Sequence, residues 1–383
     1  MRAIVPIFLA LSSLLAQGAS SELSSIEAKV IELMKAEQVA GLGVALIRDG
    51  RVTFTKTYGL RNVEQKLPLD ADTVMYGASL TKATFAYLVM QLVDEGKIDL
   101  DKPVAAYLPK PLPEYPRYRD LAGDARWQQL TMRILLSHTT GFANFRFVEE
   151  DRKLRFHHAP GERYGYSGEG LLLAQFVLEQ GLKLDVGAQM QRRIFDRFGM
   201  KRSALTWRED FATNVAETYT QDHKLEPHRH WDEVGVAGSL DTTLEDWAKF
   251  LAAVVRGEGL SKNAKAEMIR RQVAIDSERQ FPTLLPEKTD RWKAIGLGYG
   301  LGWGVFETPR GHAFFKEGHD EGTANYALCI EGTRDCVLLM SNSVRAENVF
   351  VPLVNELLGE TNLPAEWEGF KPAAPRKPAA SDR

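Results

Sequence analysis

The chain has 383 residues, 44% of them hydrophobic and 26% charged, with a formal net charge of -3. That is ordinary globular composition, with chain enough for one large domain or two intimate ones. No long run carries one sign of charge, which argues against a nucleic-acid-binding surface.

The N-terminus reads as a processing segment. Arg2 precedes an apolar run from Ala3 to Ala16, broken by Ser12 and Ser13, and Ala16-Gln17-Gly18 puts small residues where a signal peptidase cuts. The run is too short to span a bilayer comfortably. Residues 1–19 are expected to be a signal peptide. The mature chain is then exported, periplasmic or secreted, with no stable membrane span.

Ser24 to Gln38 has helical periodicity through Ile26, Val30, Ile31 and Met34. Gly43 to Arg48 and Val52 to Tyr58 read as strands around the Asp49-Gly50 turn. Leu67 to Asp72 is rich in turn residues. A helix is expected from Ser79 to Asp94, with Phe85, Leu88, Val89 and Leu92 inward and Gly96 as its stop. Ile98 to Pro113 reads as a loop with short helical turns.

A short helix follows over Leu130 to Ser137, then a polar and aromatic surface excursion over Phe145 to Ala159. Pro160 to Gly170 is a loop that leads into helices over Leu171 to Glu179 and Val186 to Phe195. Gly199 to Glu233 reads as irregular, and Thr243 to Arg256 as an amphipathic helix. Four strands are expected next, over Gly300 to Phe306, His312 to Lys316, Ala324 to Ile330 and Cys336 to Ser341. Val344 to Leu358 is a last helix. Cys329 and Cys336 flank a hairpin with Gly332-Thr333 in the turn, and either a disulfide or two free thiols fits that placement. The tail, 364–383, is rich in Pro, Ala and charge and is expected to be disordered.

Strands thus occur at both ends of the chain and helices in the middle. The expected fold is α+β, an α/β sandwich with one antiparallel sheet built from both ends. The sheet lobe takes about 24–76 and 234–360, and an inserted helical lobe about 79–233. Ser79 sits at the passage between lobes, where a cleft is expected.

Tyr76-Gly77-Ala78-Ser79-Leu80-Thr81-Lys82 carries a Ser-x-x-Lys spacing. On a helix this places Lys82 one turn beyond Ser79, on the same face. The bland reading is a capping serine and a surface lysine. Tyr166, on a glycine-rich loop, could relay a proton. Lys316-Glu317-Gly318 ends a strand, with His319 next, and a strand edge can aim a backbone N–H at a carbonyl oxygen. His228-Arg229-His230 with His223, and His157-His158, lack metal-site spacing and read as solvated loops.

Together these residues resemble the serine β-lactamase and penicillin-binding-protein superfamily. The likeness is to the branch of class C β-lactamases, D-alanyl-D-alanine carboxypeptidases, D-aminopeptidases and family VIII esterases. It also rests on Leu88 to Val104, Leu136-Ser137-His138-Thr139-Thr140-Gly141, Pro160-Gly161, Gly238-Ser239-Leu240, Tyr299-Gly300-Leu301-Gly302-Trp303 and Ser341-Asn342. The resemblance implies that Ser79 is an acylated nucleophile, Lys82 its partner and Tyr166 the tyrosine of Tyr-x-Asn. It implies that Lys316, Glu317 and Gly318 stand at Lys-Thr-Gly, with the His319 N–H completing an oxyanion hole.

Two positions depart from that pattern: Gly168 replaces the substrate-holding asparagine, and Glu317 replaces a small hydroxyl. The function implied is an acyl-enzyme hydrolase for an ester, β-lactam or D-amino-acid peptide, needing no metal or other cofactor. The alternative is a catalytically weak binding or sensing protein that holds a peptidoglycan-like or peptide ligand.

Overall fold

The computed structural model describes residues 24–284 and 287–370. The expected signal peptide and most of the expected tail, 371–383, lie outside the described residues.

A helix over residues 24–37 (α1) opens the fold. Its Ile26, Val30 and Met34 are buried, whereas Ile31 faces solvent. Among the described residues, nine strands form one antiparallel sheet. In spatial order they are Leu67–Pro68 (β3), Arg51–Asn62 (β2), Gly41–Arg48 (β1), Asp335–Ser341 (β13), Thr323–Ile330 (β12), Gly311–Asp320 (β11), Gly304–Thr308 (β10), Gly298–Tyr299 (β9) and Val273–Ala274 (β8). The two ends of the chain meet where β1 pairs with β13, Val44 opposite Leu339. The α+β sheet built from both ends is therefore the observed architecture.

Side-chain alternation divides the core in two. Leu42, Val44 and Leu46 of β1 pack with α1 and with Val349, Phe350 and Leu353 of helix Glu347–Leu358 (α8). Ala45 and Ile47 face the other way, toward Leu244, Trp247 and Leu251 of helix Leu244–Arg256 (α6). Both faces of the sheet are covered, which is why β13 is buried at all seven positions.

The helical lobe is inserted between two short strands that pair with each other. Met75–Ala78 (β4) joins Leu240–Thr242 (β7), with Ala78 opposite Leu240. Between them lie Leu80–Asp94 (α2), Met132–Leu136 (α3), Gly168–Gly181 (α4) and Val186–Met190 (α5). A small hairpin of Thr218–Tyr219 (β5) and Leu225–Glu226 (β6) interrupts the irregular stretch after α5. Helix α2 is buried from Leu80 through Leu92, on all sides rather than one face. It is the central helix of the lobe, so the expected one-sided pattern understates its burial.

Several boundaries differ from expectation. The strand expected over Gly300 to Phe306 is split, because residues 300–303 turn between β9 and β10. Gly302, inside that turn, holds φ +83, a conformation open to glycine but not to a strand residue. Helix Lys262–Ile269 (α7), capped by Ser261, was not foreseen, since only Ala264, Met268 and Ile269 of it are buried. The Cys329–Cys336 hairpin has the expected register, and the two sulfurs are bonded. Its turn takes four residues, and Arg334 rather than Gly332 adopts the left-handed conformation. Residues 364–370, expected in the disordered tail, are ordered. They form a helical turn at Ala365–Glu368 (α9), with Trp367 and Phe370 buried against the sheet.

Candidate active site

Ser79 stands at the N-terminus of α2 but does not cap it with its side chain. Its Oγ instead lies 2.9 Å from Lys82 Nζ. Ala78, immediately before it, is held at φ +46, a conformation costly for a residue with a Cβ. The bland reading of a capping serine and a surface lysine is thereby excluded. Lys82 is 1% exposed.

The Lys82 amine also donates to the Ala237 carbonyl at 2.5 Å. Ladder β4–β7 explains the proximity: pairing Ala78 with Leu240 lays Ala237-Gly238-Ser239 beside the nucleophile. Burial pushes the Lys82 amine well below the usual lysine range, and the Lys316 charge adds to the fall while Glu317 opposes it. A neutral amine next to a serine hydroxyl can accept its proton.

Tyr166 lies just before Ser167, which caps α4 by accepting the Gly170 N–H at 3.1 Å. The ring packs on His138, centroids 4.2 Å apart, and edge-on against Phe281 at 5.4 Å. Its hydroxyl is a hydrogen-bonding neighbour of Ser79. It accepts from Lys316 Nζ at 3.2 Å. The Lys82 amine lies 5.0 Å from the ring centre. Burial and the Glu317 carboxylate push the phenol well above its usual range. The resting residue is therefore a neutral phenol, which leaves the Lys82 amine as the available proton acceptor.

Lys316 is fully buried, paired with Glu317 Oε1 at 2.6 Å. Burial lowers its amine, with Glu317 opposing. The β10 ladder stops at Gly304–Phe315, so from Lys316 onward β11 has one edge free of a strand partner. Gly318 closes that edge onto β4: a Cβ there would meet the Gly77 carbonyl oxygen at 2.5 Å. His319 follows, and its ring is held by Glu347 at 2.6 Å. Ser79, Lys82, Tyr166, Glu317 and His319 line one cleft of about 540 Å³, while Lys316 and Gly318 stand behind its wall.

Sequence reasoning missed several cleft residues. The His228 loop, read as solvated, is a built wall. His228 is buried, with Nε2 3.0 Å from Asp241 Oδ1 and Nδ1 3.2 Å from the Ala216 carbonyl oxygen. His230 stacks on Trp207 at 3.5 Å. This anchoring turns Arg229 and Trp231 into the cleft. Alternation of His and aromatic residues over 228–231 was the available signal.

The excursion over Phe145 to Ala159 is likewise part wall and part surface. Asn144, Phe145 and Phe147 line the cleft, and Leu154 and Phe156 are buried. Asn144 Oδ1 accepts the Gly168 N–H at 2.9 Å. A Cβ at Gly168 would meet Phe145 Cε1 at 2.5 Å, so an asparagine there would have to displace the Phe145 ring. The segment is fastened by Arg146, whose guanidinium binds both oxygens of Glu169 at 3.0 and 2.9 Å. No cluster of metal-binding side chains occurs among the described residues. No helix among them is long and apolar enough to cross a membrane.

The β-lactamase family model matches residues 26–355. The chain belongs to the β-lactamase family. A serine-hydrolase-like function goes with that membership. This β-lactamase-family chain is 24% identical over 367 residues to penicillin-binding protein 4 of Amycolatopsis lactamdurans, covering 89% of this chain and 90% of that one. It is also 24% identical over 377 residues to the unguisins hydrolase ungD of Aspergillus violaceofuscus, covering 89% of this chain but 65% of that one. The crystal structure of D-alanine carboxypeptidase AmpC from Burkholderia cenocepacia shares the fold at a TM-score of 0.71 and 18% identity. That match covers 89% of this chain and 99% of that one.

Proposed function

We propose that the protein is an exported serine hydrolase that cleaves an ester, β-lactam or D-amino-acid peptide carbonyl through an acyl-enzyme. The observation that carries this reading is the 2.9 Å contact between the Ser79 hydroxyl and the buried Lys82 amine, which burial pushes toward its neutral form.

In acylation Ser79 Oγ attacks the carbonyl carbon and its proton passes to Lys82. Tyr166 gives its phenolic proton to the leaving group. The phenolate left behind is stabilised by Lys316, 3.2 Å away, and by the newly charged Lys82. In deacylation water attacks the acyl carbonyl and its proton returns to Tyr166, while Ser79 leaves as the hydroxyl by recovering the proton on Lys82. The Ser79 and His319 N–H groups hold the oxyanion. Asn144 supplies the amide that Gly168 lacks, since its Oδ1 is taken by the Gly168 N–H and its NH₂ group remains for the substrate.

An intact Ser79–Lys82 contact supports catalysis over mere ligand holding. Export is supported by the N-terminal pattern and by the bonded Cys329–Cys336 pair. Labelling with a fluorophosphonate and a reporter penicillin, followed by peptide mapping, tests the reading. An adduct away from Ser79, or undiminished hydrolysis by Ser79→Ala, sinks it. Intact mass of the chain recovered outside the cytoplasm tests removal of the first 19 or so residues.

A further inference from the structure

The cleft presents an acid, Glu317, to its ligand where the family pattern has a small hydroxyl. Lys316 is fully buried behind the wall, and its charge is met by Glu317 Oε1 at 2.6 Å. Glu317 itself lines the cleft, although only 6% exposed. Its Oε1 accepts a second bond, from Gln280 Nε2 at 3.1 Å. Its Oε2 is buried and accepts no hydrogen bond by distance and angle among the described residues, although the carboxylate also faces the Tyr166 hydroxyl. A buried carboxylate oxygen left unpaired is costly, and a donor from a ligand relieves that cost.

The other groups around the cleft point the same way. Asp320 adds a second acid. Burial lowers the Lys82 amine, and Glu347, which favours the charged His319 ring, also pairs with it and offsets that charge. The neighbouring Glu368 carboxyl is pushed well above its usual range by burial and by Glu317, which favours its uncharged form. Tyr76, Phe145, Phe147, Tyr166, Trp231 and Phe281 contribute aromatic surface. Aromatic faces over a carboxylate are a setting for an organic cation. Arg229 is the opposing charge, and it lies flat on Trp231, 4.0 Å from the ring centre.

We infer that the cleft takes substrates bearing a cationic nitrogen beside the scissile carbonyl, with Glu317 as counter-ion, and rejects those bearing a carboxylate there. This rests on the proposed hydrolase reading but is tested independently of it. Ser79→Ala protein is titrated calorimetrically with 3-phenylpropylamine, 3-phenylpropanol and 3-phenylpropionate, three ligands of one shape and three charges. The amine is expected to bind at least about tenfold more tightly than the acid.

In Ser79→Ala/Glu317→Gln the order is expected to reverse, because Lys316 loses its counter-ion. In Ser79→Ala/Arg229→Ala the amine preference is expected to persist or widen. Equal binding of acid and amine to Ser79→Ala overturns the inference, whether or not the Glu317 variant folds. So does an amine preference that survives Glu317→Gln. Because no step of the titration uses the nucleophile, a failure of Ser79 labelling would indict the hydrolase reading alone.

Discussion

Lys82 Nζ lies 2.9 Å from Ser79 Oγ, one turn into the helix that Ser79 begins, and the residue is buried at the floor of the cleft. The contact makes Lys82 the base. Lys82→Arg keeps most of the length, but a guanidinium stays protonated and cannot take the serine proton. The variant is expected to fold and to lose about a thousandfold in kcat/KM. Steady-state kinetics on a p-nitrophenyl ester, with melting temperature as a control for folding, checks this.

The acid limb of kcat/KM should report Lys82. Burial and the Lys316 charge lower its amine, so activity is expected to persist well below the range where lysine ordinarily titrates, and to fall as Lys82 becomes protonated. Lys316→Met removes a repelling cation and leaves the Glu317 anion unpaired. Both changes favour charged Lys82, so the acid limb should move to higher pH. A limb that stays in place, or moves down, contradicts the assignment.

Asn144 is expected to matter only when the substrate offers an acyl amide. Asn144→Ala should lower kcat/KM about tenfold on such a substrate, the worth of one hydrogen bond in a dry site. On a simple acyl ester the loss should be smaller than about threefold. Comparing the two substrates in one variant separates this role from a general loss of the loop.

The Arg146–Glu169 pair holds that loop to α4. Glu169 is 4% exposed, so Glu169→Ala leaves a partly buried guanidinium without its partner. Stability should fall by about 3 kcal/mol. Urea unfolding measures it, and faster proteolysis near Phe147 is expected alongside.

Glu368 gives stability a pH dependence of its own. Burial and the Glu317 charge raise its carboxyl well above the usual carboxylate range. A group raised on folding contributes stability that is complete below its unfolded value and is lost as pH climbs toward the folded one. Thermal stability is therefore expected to decline from about pH 5 upward. Glu368→Gln should flatten that decline and melt higher than the parent at neutral pH. An unchanged profile would falsify the assignment.

Much of the fold was legible because local rules and tertiary demands agree. Thr243 caps the helix expected there, accepting a backbone N–H bond from Asp246, whereas the Ser167 cap starts its helix at Gly168, three residues before the expected Leu171. Strict alternation in Val337 to Met340 matches two differently covered faces of one sheet. Where burial was atypical, the pattern misled. The weakly buried α7 passed unseen, and the tail composition concealed Trp367, whose indole is buried against the sheet.

The sequence by itself determined the Ser79-x-x-Lys82 spacing, since helical pitch alone brings those two side chains together. It also determined the hairpin register that lets Cys329 meet Cys336. Only the tertiary structure decided what Lys82 is. Ala237, Tyr166 and Lys316 come from distant parts of the chain, and their convergence removes water and makes a cation into a base. It likewise decided that Glu317 rather than Lys316 lines the cleft. Charge and exposure are properties of a packed environment, and no spacing along a chain encodes which of two neighbours turns inward.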